Sequence, residues 1–177
     1  MSNLSITTIN RKILTVCTFI ILFLQSSILF SEDKEILEIR KYYQSVQKDL
    51  NKLSQDKVDY THKSSHVDET DLLSEQIYFY SKNKEIVRIV GDMVFDCSGN
   101  VNELTYNEKE LIFIYTYQWA GCNREGKHSE ERYYFKKNKL ISWKSSQENN
   151  SKDKWKKKEI ELLKLSNFYQ KQFPKIN

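Results

Sequence analysis

The sequence predicts an α+β fold: an antiparallel meander sheet of about six strands between an N-terminal and a C-terminal helix. Three observations lead there. Apolar residues recur at steps of three and four over 32–53 and again over 155–173, the spacing of an amphipathic helix. Between Glu75 and Trp143 the period drops to two, the spacing of half-buried strands. Three polar tetrapeptides, each carrying an Asn, break this stretch into hairpins. The composition agrees: 39% hydrophobic and 13% aromatic residues in a 177-residue chain are enough to bury one core. Only 4 Gly and 1 Pro are present, which excludes collagen-like and Pro-rich chains. No G-x-G-x-x-G, Walker A, H-E-x-x-H or G-x-S-x-G motif occurs, so the familiar nucleotide, zinc-protease and serine-hydrolase sites are absent from the sequence.

The chain opens with an address. Arg11 and Lys12 precede an apolar run from Ile13 to Leu24, and small residues follow at Ser26, Ser27 and Ser31. A positive start, an apolar stretch of about a dozen residues and small residues after it make a secretory signal peptide. Residues 1–30 are therefore read as a signal peptide, with an uncleaved inner-membrane anchor as the alternative, and 31–177 as a single domain. Export places the mature chain in the periplasm or outside the cell. Ile36, Ile39, Tyr43, Val46, Leu50 and Leu53 then share one face of the first helix, which Ser31 can cap. Residues 54–74 are polar and read as a connector.

The hairpins follow. Gln76–Tyr80 and Glu85–Val90 flank Ser81-Lys82-Asn83-Lys84, with Met93–Cys97 a further short strand. Val101–Tyr106 and Leu111–Trp119 flank Asn107-Glu108-Lys109-Glu110; Glu131–Phe135 and Leu140–Trp143 flank Lys136-Lys137-Asn138-Lys139. In the Leu111 strand, Leu111, Phe113, Tyr115, Tyr117 and Trp119 share one face; Ile112, Ile114, Thr116 and Gln118 share the other. Apolar residues on both faces near its start mark a central strand. The first and last hairpins match at an offset of 55, Tyr78-Phe79-Tyr80 onto Tyr133-Tyr134-Phe135, which reads as shared hairpin chemistry rather than duplication. In the last helix Trp155, Leu162, Leu165, Tyr169 and Phe173 form the stripe, Ile160, Leu163 and Phe168 widen it, and Pro174 ends it.

Candidate chemistry is sparse. Cys97 and Cys122, the two cysteines left after signal removal, point to a disulfide in an exported chain. Tyr78, Tyr80, Tyr115, Tyr117 and Trp143 suggest an aromatic binding surface on the sheet, since such rings supply contact area at low entropic cost. Lys154, Trp155, Lys156, Lys157 and Lys158 form the densest basic patch, a candidate contact for an anionic membrane surface. It belongs to a charge asymmetry: residues 136–177 carry 12 Lys against 4 acids, a net of +8, whereas 31–135 carry a net of −6. His62 and His66 lack the further ligands a metal site needs, so no metal and no cofactor is expected. Glu130 and Glu131, adjacent on a strand, point to opposite faces and cannot converge on one bond; they read as edge-strand charges.

The run Glu130-Glu131-Arg132-Tyr133-Tyr134-Phe135 followed by Lys139-Leu140-Ile141-Ser142-Trp143 resembles uncharacterised secreted or envelope-associated bacterial proteins. The resemblance covers about residues 75–143 and implies an envelope setting and no catalytic residues. The expected function is a non-enzymatic binding or interaction module whose partner is a protein or an envelope component, not nucleic acid. The alternatives are an envelope-polymer hydrolase, which would need His128, Glu130 or Glu103 in one deep pocket, and a membrane-surface protein using the Lys-rich helix.

Overall fold

The computed structural model describes residues 34–60, 72–121, 126–146 and 152–173. The chain divides after Arg40 into two compact units. The described part of the first unit, residues 34–40, is helical, with Ile36 buried and Leu37 exposed. The helix, α1, continues to residue 48 and is followed by a 3-10 turn, Leu50–Lys52.

The second unit is an antiparallel meander of seven strands in sequence order: β1 (Ser54–Tyr60), β2 (Leu72–Lys82), β3 (Glu85–Phe95), β4 (Ser98–Asn107), β5 (Glu110–Ala120), β6 (His128–Lys136) and β7 (Lys139–Ser145). A C-terminal helix, α2 (Lys152–Gln172), completes the α+β fold that the periodicity predicts. The seventh strand is β1, where the sequence suggests only the start of a polar connector. An edge strand has one partner and can carry polar residues at most positions, so Ser54-Gln55-Asp56-Lys57 hides its strand character. β3 is likewise one strand of 11 residues and does not break at Gly91.

The three predicted hairpins share one device. Asn83-Lys84, Glu108-Lys109 and Lys137-Asn138 all have positive φ, the signature of two-residue type I′ turns. Asn107 lies outside the left-handed pair; Glu108 and Lys109 occupy it without the side chains that favour it. Three residues past each turn, Val87, Ile112 and Ile141 stand opposite no partner in the register, each a bulge. The turns therefore superpose at offsets of 25 and 54, not 55, and Asn83 and Asn138 hold different turn positions. That mismatch fits recurrent hairpin chemistry. The bulge also corrects the face assigned to Leu111: paired with Tyr106 rather than in step with Phe113, it joins the core cluster with Ile114.

That cluster lies under α2. Ile77, Phe79, Ile89, Leu104, Tyr106, Ile114, Tyr133, Phe135 and Leu140 face Leu162 and Tyr169. The helix crosses the strands. Trp155 Nε1 donates to Leu140 O at 3.2 Å, and the Leu140 N–H donates to Glu159 Oε2 at 2.7 Å, so two residues one helical turn apart satisfy both backbone groups of an edge-strand residue. Ser166 and Tyr106 share a buried hydroxyl contact of 2.9 Å at β4. At β3 a Cβ on Gly91 would sit 2.2 Å from the Tyr169 hydroxyl, so this glycine is a seat for the ring. Phe173 meets Phe79 on β2. The contact stripe thus runs 155, 159, 162, 166, 169, 173. Ile160, expected to widen it, is 47% exposed.

On the opposite face, residues 41–48 of α1 rest on the same end of the strands. Tyr43 packs on Phe113, and its hydroxyl donates to Glu103 at 3.0 Å. Arg88 binds Glu103 at 2.8 Å and donates to Gln47 at 2.9 Å, beneath the helix.

Replacing Glu108-Lys109 by Asn-Gly supplies the residues a type I′ turn favours. We expect a stabilisation of about 1 kcal/mol, read by urea denaturation at unchanged slope. A loss of stability would contradict the strained-turn reading.

Candidate functional site

The face of the sheet under α2 changes character along the strands. Near the type I′ turns it is apolar. Toward the other end the registers read Asn102 opposite Thr116, Thr116 opposite Glu131, and Asn100 opposite Gln118, Gln118 opposite Ser129. All of these but Ser129 floor a groove of about 460 Å³ beside α2, within the usual size range of small-molecule sites, roughly 300–1,000 Å³. Leu162, Leu165 and Phe168 form its apolar wall; Lys158, Glu161 and Lys164 line it from the helix.

Several floor groups are already oriented. Thr116 Oγ1 donates to Asn102 Oδ1 at 3.1 Å, and both residues are buried. The Tyr133 hydroxyl donates to Glu131, and burial, followed by that hydrogen bond and the carboxylate's charge, pushes the phenol pKa up. Ser129 donates to Gln118 Oε1 at 3.4 Å, and Lys158 pairs with Glu161 at 2.9 Å. Asn100 Oδ1 is buried and has no hydrogen-bond partner among the described residues. A buried acceptor of this kind is uncommon. The sequence holds the signal in the change from Ile112 and Ile114 to Thr116 and Gln118 on one strand face. Reading it required the register that sets Asn100 and Asn102 alongside.

The predicted aromatic surface is split. Tyr78, Tyr80, Tyr115 and Tyr117 lie on the face away from α2, half-buried, and cations sit over three of the rings: Lys57 over Tyr78 at 5.7 Å, Arg88 over Tyr80 and Arg132 over Tyr115 at 5.6 Å. Tyr117 stacks on His128 and on Trp119, whose ring in turn covers Gly99. Trp143 does not belong with them. It lies on the α2 face between Tyr133 and Trp155, because Tyr133 is its register partner.

The basic patch is split as well. Lys154, Lys156 and Lys157 are exposed, but Trp155 is committed to Leu140 and Trp143, and Lys158 points to Glu161 and the groove. Glu130 and Glu131 do face opposite ways, Glu130 to Arg132 and Glu131 to Tyr133. However, β6 is an interior strand, so edge protection is not their role. Glu103 is held by Arg88 and Tyr43, Glu130 by Arg132, and His128 by Tyr117. Neither the groove nor either of two other cavities, one lined by Asn83–Ile86 and one by Phe95 and Ser98–Asn100, brings these three together, and among the described residues no cluster of metal ligands is found. Cys122, His62, His66 and the predicted signal peptide lie outside the described residues. No described helix is long and apolar enough to cross a membrane.

The chain matches no protein-family model, no curated protein and no solved structure.

One buried carboxyl sits on the α2 face near Tyr169. Glu75 is 1% exposed, and burial raises its pKa from 4.5 to about 7. The folded state therefore holds this proton more tightly than the unfolded chain. The stability it contributes is complete below pH 4.5 and is lost as pH rises through about 7. Glu75→Gln removes that loss. The variant's stability relative to wild type should climb between pH 5 and pH 8, by up to about 3 kcal/mol, in urea titrations at each pH. A pH-independent difference would show that the carboxyl is not protonated in the fold.

Proposed function

We propose that this chain is an exported, non-enzymatic binding module and that the groove beside α2 is its ligand site. The observation that carries the reading is the polar floor: Asn100, Asn102, Thr116, Gln118 and Glu131 occupy the inward face of a sheet whose neighbouring half is mainly apolar. Asn100 Oδ1, buried without a partner among the described residues, costs the fold free energy rather than adding to it. The cationised rings of the opposite face provide a second contact area, suited to a protein partner or an envelope component.

The setting rests on the leader, with its cationic start and apolar run, and on the cysteines. Gly121 N–H donates to Cys97 O at 2.7 Å, which holds the residue before Cys122 across from Cys97 and supports a bridge between them. Such a bridge would stabilise by roughly 3.5 kcal/mol in the chain-entropy account. Mass spectrometry of the exported protein, unreduced and then reduced and alkylated, should give a chain starting between residues 27 and 32 and one disulfide. An intact N-terminus or two free thiols would overturn that part of the proposal.

The ligand site is tested by a nitrogen–proton correlation NMR screen with a general fragment library. Hits should cluster on the side-chain amides of Asn100, Asn102 and Gln118. Clustering around Tyr115, Tyr117 and Arg132 would move the site to the other face. An absence of saturable hits anywhere would sink the binding-module reading.

A further inference from the structure

The groove's chemistry narrows its ligand. Its charges balance: Glu131 and Glu161 stand against Lys158 and Lys164, and two of the four are engaged with each other. A strongly anionic or cationic ligand would meet as many like charges as counter-charges in the lining. Its floor is polar, so a purely hydrocarbon ligand would cover the Asn102, Thr116 and Gln118 side chains without offering them a further hydrogen-bond partner. Amides and hydroxyls dominate, and these donate and accept side by side. Opposite them stands an apolar wall with one aromatic ring, Phe168, half-buried beside Leu165.

We propose that the groove binds a neutral saccharide of one or two pyranose rings. A pyranose carries hydroxyls around its edge, each both donor and acceptor, and two faces of C–H groups. The edge matches the Asn100, Thr116 and Gln118 floor; a C–H face matches Phe168 and Leu165. The adjoining Tyr133–Glu131 and Thr116–Asn102 hydrogen bonds fix floor groups in advance, so less ordering is left to be done on binding. A neutral amphipathic peptide would offer amides to the floor but no flat C–H face to the ring. This assignment rests on the groove being the ligand site, as proposed above.

The test is an NMR titration of the full mature protein with N,N′-diacetylchitobiose and with cellobiose, and with hexanoate as an apolar anion. The expected result is saturable shifts of the Asn100, Asn102 and Gln118 side-chain amides with at least one of the two sugars and none with hexanoate. Asn100→Leu should weaken that sugar's binding about tenfold. Gln118→Leu, at an exposed position that cannot compromise folding, should weaken it severalfold, as should Phe168→Ala. Arg132→Ala, on the opposite face, should leave it unchanged. If fragments from a general library bind at these amides but neither sugar does up to about 50 mM, the saccharide assignment fails and the ligand site stands; the millimolar range corresponds to roughly −4 kcal/mol or weaker. Saturation by hexanoate alone would replace the sugar with a lipid-like ligand. If nothing binds there, both readings fall together.

Discussion

The structure depends on a mismatch of dimensions between one helix and one sheet. The 21 residues of α2 make a rod about 31 Å long. Seven strands at about 4.8 Å spacing make a sheet about 29 Å wide. A helix laid across the strands therefore reaches from β7 to β2, and its contacts do so in order: Leu140, Tyr106, Gly91, Phe79. Its breadth, roughly 10 Å, is a fraction of strands about 35 Å long. One helix can dry only one band of the sheet. That band holds the apolar cluster; what lies beyond it along the strands is free to be polar, and the groove is the place where it is.

The same limit explains why the hairpin tips are built as they are. Each type I′ turn is followed by a bulged Val or Ile, and a bulge strengthens the local twist and re-aims the side chains beside it. The last inward pairs before two of the turns, Tyr106 with Leu111 and Phe135 with Leu140, are buried in the cluster under α2. Without the bulge Leu111 would fall in step with Phe113 on the other face. The opposite face is handled differently. There Tyr43 and Gln47 of α1 cover a partly buried ion pair, Arg88 with Glu103, and hydrogen-bond to both of its ends, although Arg88 Nε has no partner among the described residues. Hydrogen bonds of this kind offset part of the cost of burial, and removing one partner leaves a charge stranded.

Much of this was legible in the sequence, and the failures have physical causes. Period two and the Asn-bearing turns identify three hairpins, because turn chemistry is local. The two helices follow from their apolar stripes. β1 escapes because an edge strand lacks the second neighbour that enforces an apolar pattern. Gly91 looks like a break because close approach to Tyr169 is a tertiary fact. Trp143 is grouped with Tyr115 and Tyr117 because alternation assigns faces within a strand, while a bulge at Ile141 resets the register between strands. The groove escapes for a related reason. Asn100, Thr116 and Glu131 are ordinary polar residues until the register sets them side by side.

The register also changes what the charge asymmetry means. A run of Lys around Trp155 looks like a surface motif when read linearly. In the fold its members separate by role. Trp155 and Glu159 hold the Leu140 peptide, Lys158 and Lys164 line the groove, and Lys154, Lys156 and Lys157 form an exposed cationic strip. An exposed strip of three Lys supplies modest, salt-screened attraction and no geometric selectivity. Selectivity needs fixed donors and acceptors at limited exposure, and in this chain those stand on strands. The sheet supplies the rigidity, α2 supplies the wall, and the residues that look most conspicuous in the sequence are mainly what fastens one to the other.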